Sequence, residues 1–364
     1  MAYAPSHRAE TNGAQVPPPE AEREGILMKL SHKALIGLAA TTGLALAGRA
    51  LLRARRRIEL KGRVVLVTGA STGLGLLVAR QAAKAGARLV LAARGEADLR
   101  AAEAELKNLG TEVLAVPTDV SDEGQVRNLV ARAIERFGKV DILVNNAGIM
   151  RVGPIETMTV EDFRELMAVN FWGELLPILA VLPHMKSQGG GRIANVVSVG
   201  GKVSVPHMLP YSASKFALTG LTEGLRAELI QDNILVTGIY PGTIRTGGHV
   251  NADFKGDRDA EYSWFALSDT IPGISASADH AAQQLWRGVL DGEPEVIVGW
   301  NARVASIVHG MFPEWTAEAM ALVNRALPRS TQAHGPAVKG QALTGRVADA
   351  VNQAIPSGTR PEPA

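Results

Sequence analysis

The segment Thr68-Gly69-Ala70-Ser71-Thr72-Gly73-Leu74-Gly75 decides the fold. A β-branched and aliphatic run, residues 64–67, leads into it, and a helix-period stretch, residues 74–85, leaves it. Glycines at 69, 73 and 75 let the backbone turn sharply and approach a pyrophosphate, which then rests on the free N–H groups at the start of the helix. A glycine-rich turn in this position opens an α/β sheet and points to a dinucleotide.

The same alternation continues outward. Strand-like runs fall at 89–91, 112–116, 141–144, 193–197, 234–238 and 295–298, with helical stretches at 97–108, 123–137 and 212–230. Repeated strand–helix order predicts a Rossmann-type, doubly wound parallel α/β sheet of about seven strands, with helices on both faces and the ligand at the carboxyl ends of the strands. At the end of the second strand, dinucleotide folds that take NAD usually place an acid on the ribose hydroxyls. Here Ala92-Ala93 stand there, followed by Arg94. A guanidinium with no carboxylate beside it suits a 2′-phosphate, so NADP(H) is favoured. Glu96 and Asp98 lie close enough to serve a ribose hydroxyl, which keeps NAD(H) open.

The eight-residue turn resembles the TGxxxGxG signature of the short-chain dehydrogenase/reductase family, and the resemblance continues along the chain. Asn145-Asn146-Ala147-Gly148 matches the family's NNAG, Ser198 follows the fifth strand, and Tyr211-Ser212-Ala213-Ser214-Lys215 matches YxxxK. Pro241-Gly242 with Thr246 is similar to the PG motif after the sixth strand. The similarity covers residues 61–300. It implies that Ser198, Tyr211, Lys215 and Asn170 are catalytic, Asn170 helping to hold a relay water. It further implies that Gly69, Ser71, Thr72, Gly73, Leu74 and Gly75 hold the cofactor phosphates, with Arg94 on the 2′-phosphate and Asp119 and Val120 at the adenine. Asn146, Ala147 and Gly148 would flank the cofactor, Lys215 would bind its ribose hydroxyls, and Pro241, Gly242, Ile244 and Thr246 would lie near the nicotinamide, with Tyr211 beside it. Two positions depart from the pattern: Val197 where a second serine is common, and Thr72 where many NADP-binding members have arginine. The second removes one phosphate contact.

The chemistry of these residues is coherent. Reducing a ketone needs a hydride at carbon and a proton at oxygen, and a nicotinamide carries the hydride. A free phenol, with a pKa near 10, is a poor acid–base group at neutral pH. Lys215, four residues on from Tyr211, shares its helix face, and its ammonium stabilises the phenolate. Ser198 would donate to the substrate oxygen as charge develops there. The expected reaction interconverts an alcohol with a ketone or aldehyde. A non-catalytic dinucleotide-binding sensor or scaffold is the alternative, and the intact Ser/Tyr/Lys set argues against it. Nucleotide-sugar epimerases usually space their glycines as TGxxGxxG, unlike this turn.

Composition narrows the field further. The chain has 364 residues, 38 Lys+Arg against 36 Asp+Glu, and no cysteine. Disulfides, thiolate metal sites, iron–sulfur clusters and a cysteine nucleophile are thereby excluded. Near-neutral charge offers no general reason to expect nucleic acid. The eight histidines have no ligand spacing, and no metal site is expected.

The two ends read differently from the middle. Residues 1–27, with Pro17-Pro18-Pro19, read as a disordered leader. Residues 28–60 read as an apolar helix with a basic flank: 34–48 carry no charge, and Arg53, Arg55, Arg56 and Arg57 close the segment. Fifteen residues of helix rise about 22 Å against a hydrocarbon core of roughly 30 Å, and extension to Leu52 with Arg49 snorkelling nearly closes the gap. A membrane anchor is favoured over a signal peptide or a soluble packing helix. Membrane association is therefore expected through residues 34–57, with the arginines holding the catalytic domain on the cytoplasmic side. A soluble cytoplasmic protein is the alternative. Residues 247–275 correspond to the family's variable substrate loop and mix charges with Tyr262, Trp264 and Phe265, as a lid with an aromatic underside would. Val205, Pro206, His207, Met208 and Leu209 are expected to shape the pocket, and a lipophilic alcohol or ketone is expected as substrate. Residues 301–328 read as a helical extension starting afresh at Pro313-Glu314, and 329–364 as a disordered tail. Family members often assemble as homo-oligomers through helices flanking the fourth and fifth strands.

Overall fold

The computed structural model describes residues 40–44, 47–270, 275–329 and 335–343. The chain divides into two units, Met1–Arg55 and Arg56–Ala364. In the first, described residues 40–44 and 47–55 are helical and exposed. The leader and the rest of the apolar run lie outside the described residues.

The second unit is built on seven strands: β1 (Val64–Thr68), β2 (Arg88–Ala93), β3 (Val113–Pro117), β4 (Ile142–Asn145), β5 (Gly191–Val196), β6 (Ile234–Pro241) and β7 (Glu295–Val298). They pair in the order β7-β6-β5-β4-β1-β2-β3, all parallel. The order reverses between β1 and β4, the switch point at which such sheets bind ligands. Burial on both faces explains the nearly unbroken aliphatic strands, with every residue of β1 and β6 buried.

Helices α1 (Gly73–Lys84), α2 (Glu96–Asn108), α3 (Glu123–Phe137), α4 (Val160–Ser187) and α5 (Leu209–Leu229) make the crossovers. Apolar layers lie on the two faces of the sheet, one packing Leu76, Leu89, Ile142 and Leu285, the other Leu66, Leu129, Ile178 and Ile193. α4 is long and apolar enough by composition to cross a membrane. One face of it packs within this unit, with Asn170, Glu174 and Ile178 fully buried, while Trp172 and Leu179 are exposed. A π-turn at Ala168–Trp172 widens it, and Pro177 lies one turn beyond. Such turns concentrate at functional sites.

The chain after β6 is more ordered than its composition suggests. Residues 258–270 form α6 (Arg258–Thr270), and Tyr262 and Phe265 pack with Phe254 in an aromatic cluster. Lys255 and Glu261 are buried as well. Residues 271–274 lie outside the described residues.

α7 (Ala278–Asp291) packs against α1 before β7. The extension forms two helices, α8 (Trp300–Met311) and α9 (Pro313–Ala326), which meet at Phe312 because Pro313 has no N–H to continue the first. The expectation of a disordered tail fails over part of its length. Val338–Lys339 pairs antiparallel with Asp253–Phe254, and the Gly340 N–H donates to the Ala252 carbonyl over 2.9 Å. A two-residue strand held by a distant edge leaves no trace in composition.

Candidate active site

The glycine turn is built as the sequence implies. Gly69 has φ +62°. A Cβ on Gly75 would lie 2.2 Å from the Gly69 carbonyl oxygen and 2.5 Å from Asn146 Nδ2, so only glycine lets α1 approach β1 this closely. Thr72 precedes α1 without a side-chain cap, and no acid sits in the first turn. The helix start therefore presents open N–H groups and positive dipole toward an anion. These features fit a dinucleotide pyrophosphate.

The turn is fastened to β4. Asn146 Nδ2 donates to the carbonyls of Thr68 and Gly69, each over 3.1 Å, and the Thr68 hydroxyl accepts from the N–H groups of Asn146 and Ala147 over 3.0 and 3.1 Å. Asn146 thus spends its amide on shaping the turn while it still borders the site. Thr68, which opens the turn but carries no role in the sequence reading, is the buried post of this arrangement.

A cavity of about 490 Å³ opens at the carboxyl ends of the strands. Leu74, Asn146, Gly148, Ser198, Tyr211, Lys215, Pro241, Gly242, Ile244 and Thr246, all expected site residues, line it. Arg94 stands exposed at the end of β2 with no ion-pair partner among the described residues, whereas Glu96 is paired with Arg100. Asp119 accepts from the N–H and hydroxyl of Ser121, and Val120 is buried where a Cβ on Gly173 of α4 would meet it at 2.6 Å. Ser71, Thr72 and Gly73 form the half-buried rim of the turn.

Around the reacting position the geometry is tight. Ser198 Oγ accepts from the Gly200 N–H over 2.9 Å, which leaves its O–H free to donate. A point 3.2 Å from the Tyr211 ring and 3.4 Å from Ser198 Oγ, where a Cβ on Gly200 would sit, shows the two side chains flanking one spot. Lys215, almost fully buried, donates from Nζ to the Val196 carbonyl over 2.9 Å and to Glu174 Oε1 over 3.1 Å. Asn170 lies behind the cavity. Its Oδ1 accepts from the Ile149 N–H over 2.9 Å, and its Nδ2 donates to the Ile149 carbonyl and to Ser214 Oγ, each over 3.0 Å. Ser214 in turn donates to the Tyr211 carbonyl over 2.7 Å. Burial pushes the Glu174 carboxyl up to about 8, against the pull of Lys215.

One wall of the cavity is apolar, made of Ile149, Met150, Val205, Met208, Trp264 and Phe265. Two buried charge clusters hold this wall. Glu261 accepts from Trp264 Nε1 and bonds His207 Nδ1, both over 2.7 Å. Asp162 at the start of α4 meets Arg151 and, over 2.6 Å, Lys255. Burial alone would raise the Asp162 carboxyl, but Lys255, Thr159 and Arg151 hold it down at about 2.

Comparison with known proteins gives the family. The short chain dehydrogenase family profile matches residues 63–254, more than half of the chain. The chain belongs to the short-chain dehydrogenase/reductase family. It is 32% identical over 290 residues to Dehydrogenase/reductase SDR family member 7B of Danio rerio, spanning 78% of this chain and 92% of that protein. Among solved structures, a short-chain dehydrogenase/reductase from Burkholderia phymatum in complex with NAD superposes with a TM-score of 0.66 at 27% identity, covering 71% of this chain and 96% of that one. A gluconate 5-dehydrogenase from Burkholderia cenocepacia, in complex with NADP and tartrate, superposes with a TM-score of 0.60 at 29% identity, covering 69% and 99%. This short-chain dehydrogenase/reductase is an NAD(P)-dependent oxidoreductase of the class acting on CH–OH groups.

Proposed function

We propose that the protein interconverts a lipophilic alcohol and its carbonyl partner with NADP(H), using Tyr211 as general acid and base. The observation that carries this reading is that Ser198, Tyr211 and Lys215 border one cavity with the residues after β1, β4 and β6. When bound there, the nicotinamide supplies or accepts the hydride. The Ser198 hydroxyl donates to the substrate oxygen and steadies charge on it. Tyr211 gives its phenolic proton to that oxygen in reduction and removes it in oxidation. Lys215 keeps its ammonium close by, which stabilises the phenolate left behind. Asn170 fixes the Ile149 backbone and, through Ser214, the turn of α5 that carries Tyr211.

NADP(H) is preferred because Arg94 is unpaired where β2 ends, and the nearby Glu96 is engaged with Arg100. The apolar wall from Ile149 to Phe265 supports a lipophilic substrate. The apolar run and arginine cluster of residues 34–57 support a membrane anchor with the catalytic domain on the cytoplasmic side. Turnover of a panel of aldehydes and ketones with NADPH and with NADH tests the reading. Reduction of hydrophobic ketones with a preference for NADPH is expected, and absence of turnover across the panel contradicts it. The anchor is checked separately: the full chain should sediment with membranes and resist a high-salt wash.

A further inference from the structure

We propose that Glu174 is a positioning residue for this reaction: its buried carboxyl holds the Lys215 ammonium beside Tyr211 and, by gaining charge as pH rises, weakens the hold of that ammonium on the phenolate. The inference rests on Tyr211 being the acid–base group. Glu174 is fully buried on α4, just past the π-turn, and its Oε1 lies 3.1 Å from Lys215 Nζ. Its other oxygen, Oε2, is buried without a hydrogen-bond partner among the described residues. An orphan oxygen is far more costly on an anion than on a neutral acid, so this geometry favours a protonated Glu174 at neutral pH. Burial acts in the same direction and carries the carboxyl up to about 8 even with Lys215 opposing it.

The surroundings leave Lys215 as its one charged neighbour among the described side chains. β4 and β5 offer Asn145, Asn195 and the Val196 carbonyl, and α5 offers Ser214 and Thr222, all neutral. The charged residues of α3, the remaining helix packed on α4, are all exposed. The Glu174 backbone is pinned as well, its carbonyl accepting from Asn145 Nδ2 over 3.1 Å. While Glu174 is protonated, Lys215 presents an uncompensated positive charge to Tyr211. Once it ionises, the pair is neutral and the phenolate loses part of that support.

The test compares the full-length wild type with Glu174→Gln, Glu174→Asp and Tyr211→Phe. Glutamine keeps an acceptor for Lys215 but never ionises, so the alkaline limb of the reduction profile should move to lower pH by about one unit. Aspartate keeps the titrating group, so its limb should stay with the wild type while kcat falls because Lys215 is less well placed. A glutamine limb that superimposes on the wild type, or moves upward, overturns the proposal. Folding stability supplies a readout independent of turnover. A carboxyl held near 8 in the fold and near 4.5 when unfolded contributes fully below about pH 4.5, and that contribution is lost as pH rises through about 8. Glu174→Gln should therefore gain in melting temperature over the wild type as pH rises across this window, and a constant gap contradicts the inference. If Tyr211→Phe turns over like the wild type, the acid–base reading itself fails, whereas the stability comparison still judges the charge state of Glu174.

Discussion

Asn170 Nδ2 and Ser214 Oγ lie 3.0 Å apart, and this bond ties the π-turn of α4 to the first turns of α5. The same amide closes two bonds with the Ile149 backbone, so one side chain links three segments that border the cavity. Asn170→Ala removes all three and leaves buried groups unpaired. It should cost about 2–4 kcal/mol of stability, read by chemical denaturation, and lower kcat more than it raises KM.

The proposed preference for NADP(H) rests on Arg94. Arg94→Ala should raise the Kd for NADPH by about 10-fold to 100-fold while leaving NADH almost unchanged, because only the 2′-phosphate requires the guanidinium. Fluorescence titration with both nucleotides measures this directly, and equal losses for the two would point to a general binding defect.

The Asp162 cluster should set the acid stability of the fold. Its carboxyl is held at about 2, against 3.8 for an ordinary aspartate, so its contribution is complete above about pH 4 and is lost as pH falls toward 2. Asp162→Ala strands the buried Lys255, while Arg151 keeps Glu165 and Asp253, and should cost about 3–5 kcal/mol at neutral pH. Thermal melts between pH 3 and pH 7 should show the gap between mutant and wild type narrowing on the acid side.

Glu261 clamps the substrate wall by holding both His207 and Trp264. Glu261→Ala should release the indole and raise KM for bulky hydrophobic ketones by about 10-fold, as loss of a buried charged hydrogen bond of about 1.5–3 kcal/mol implies. Small aldehydes, which do not reach Trp264, should show little change in steady-state kinetics.

Much of this architecture was legible from residue order. The strand starting at Glu295 and the helix from Glu123 to Phe137 fall where periodicity puts them, because a buried parallel strand and an amphipathic helix each carry their own signal. α5 begins at Leu209, three residues before its periodic stretch, since Pro210 fits the first turn of a helix. What escaped reading depends on partners far away in the chain. Thr68 matters through Asn146 and Ala147, Glu261 through His207, and Asp162 through Arg151 and Lys255. Glu174 left one clue, a single carboxylate at the head of the otherwise apolar run from Leu175 to Leu182. A charge in such a run marks either a helix end or a buried partner, and only the fold reveals Lys215 opposite it.

The most direct test of the account is steady-state turnover of Tyr211→Phe with NADPH and the best hydrophobic ketone of the panel. The ring stays packed while the phenolic proton is removed, so kcat should fall by about 10²–10⁴-fold with nucleotide affinity and melting temperature nearly unchanged. Turnover equal to that of the wild type would contradict proton transfer through Tyr211.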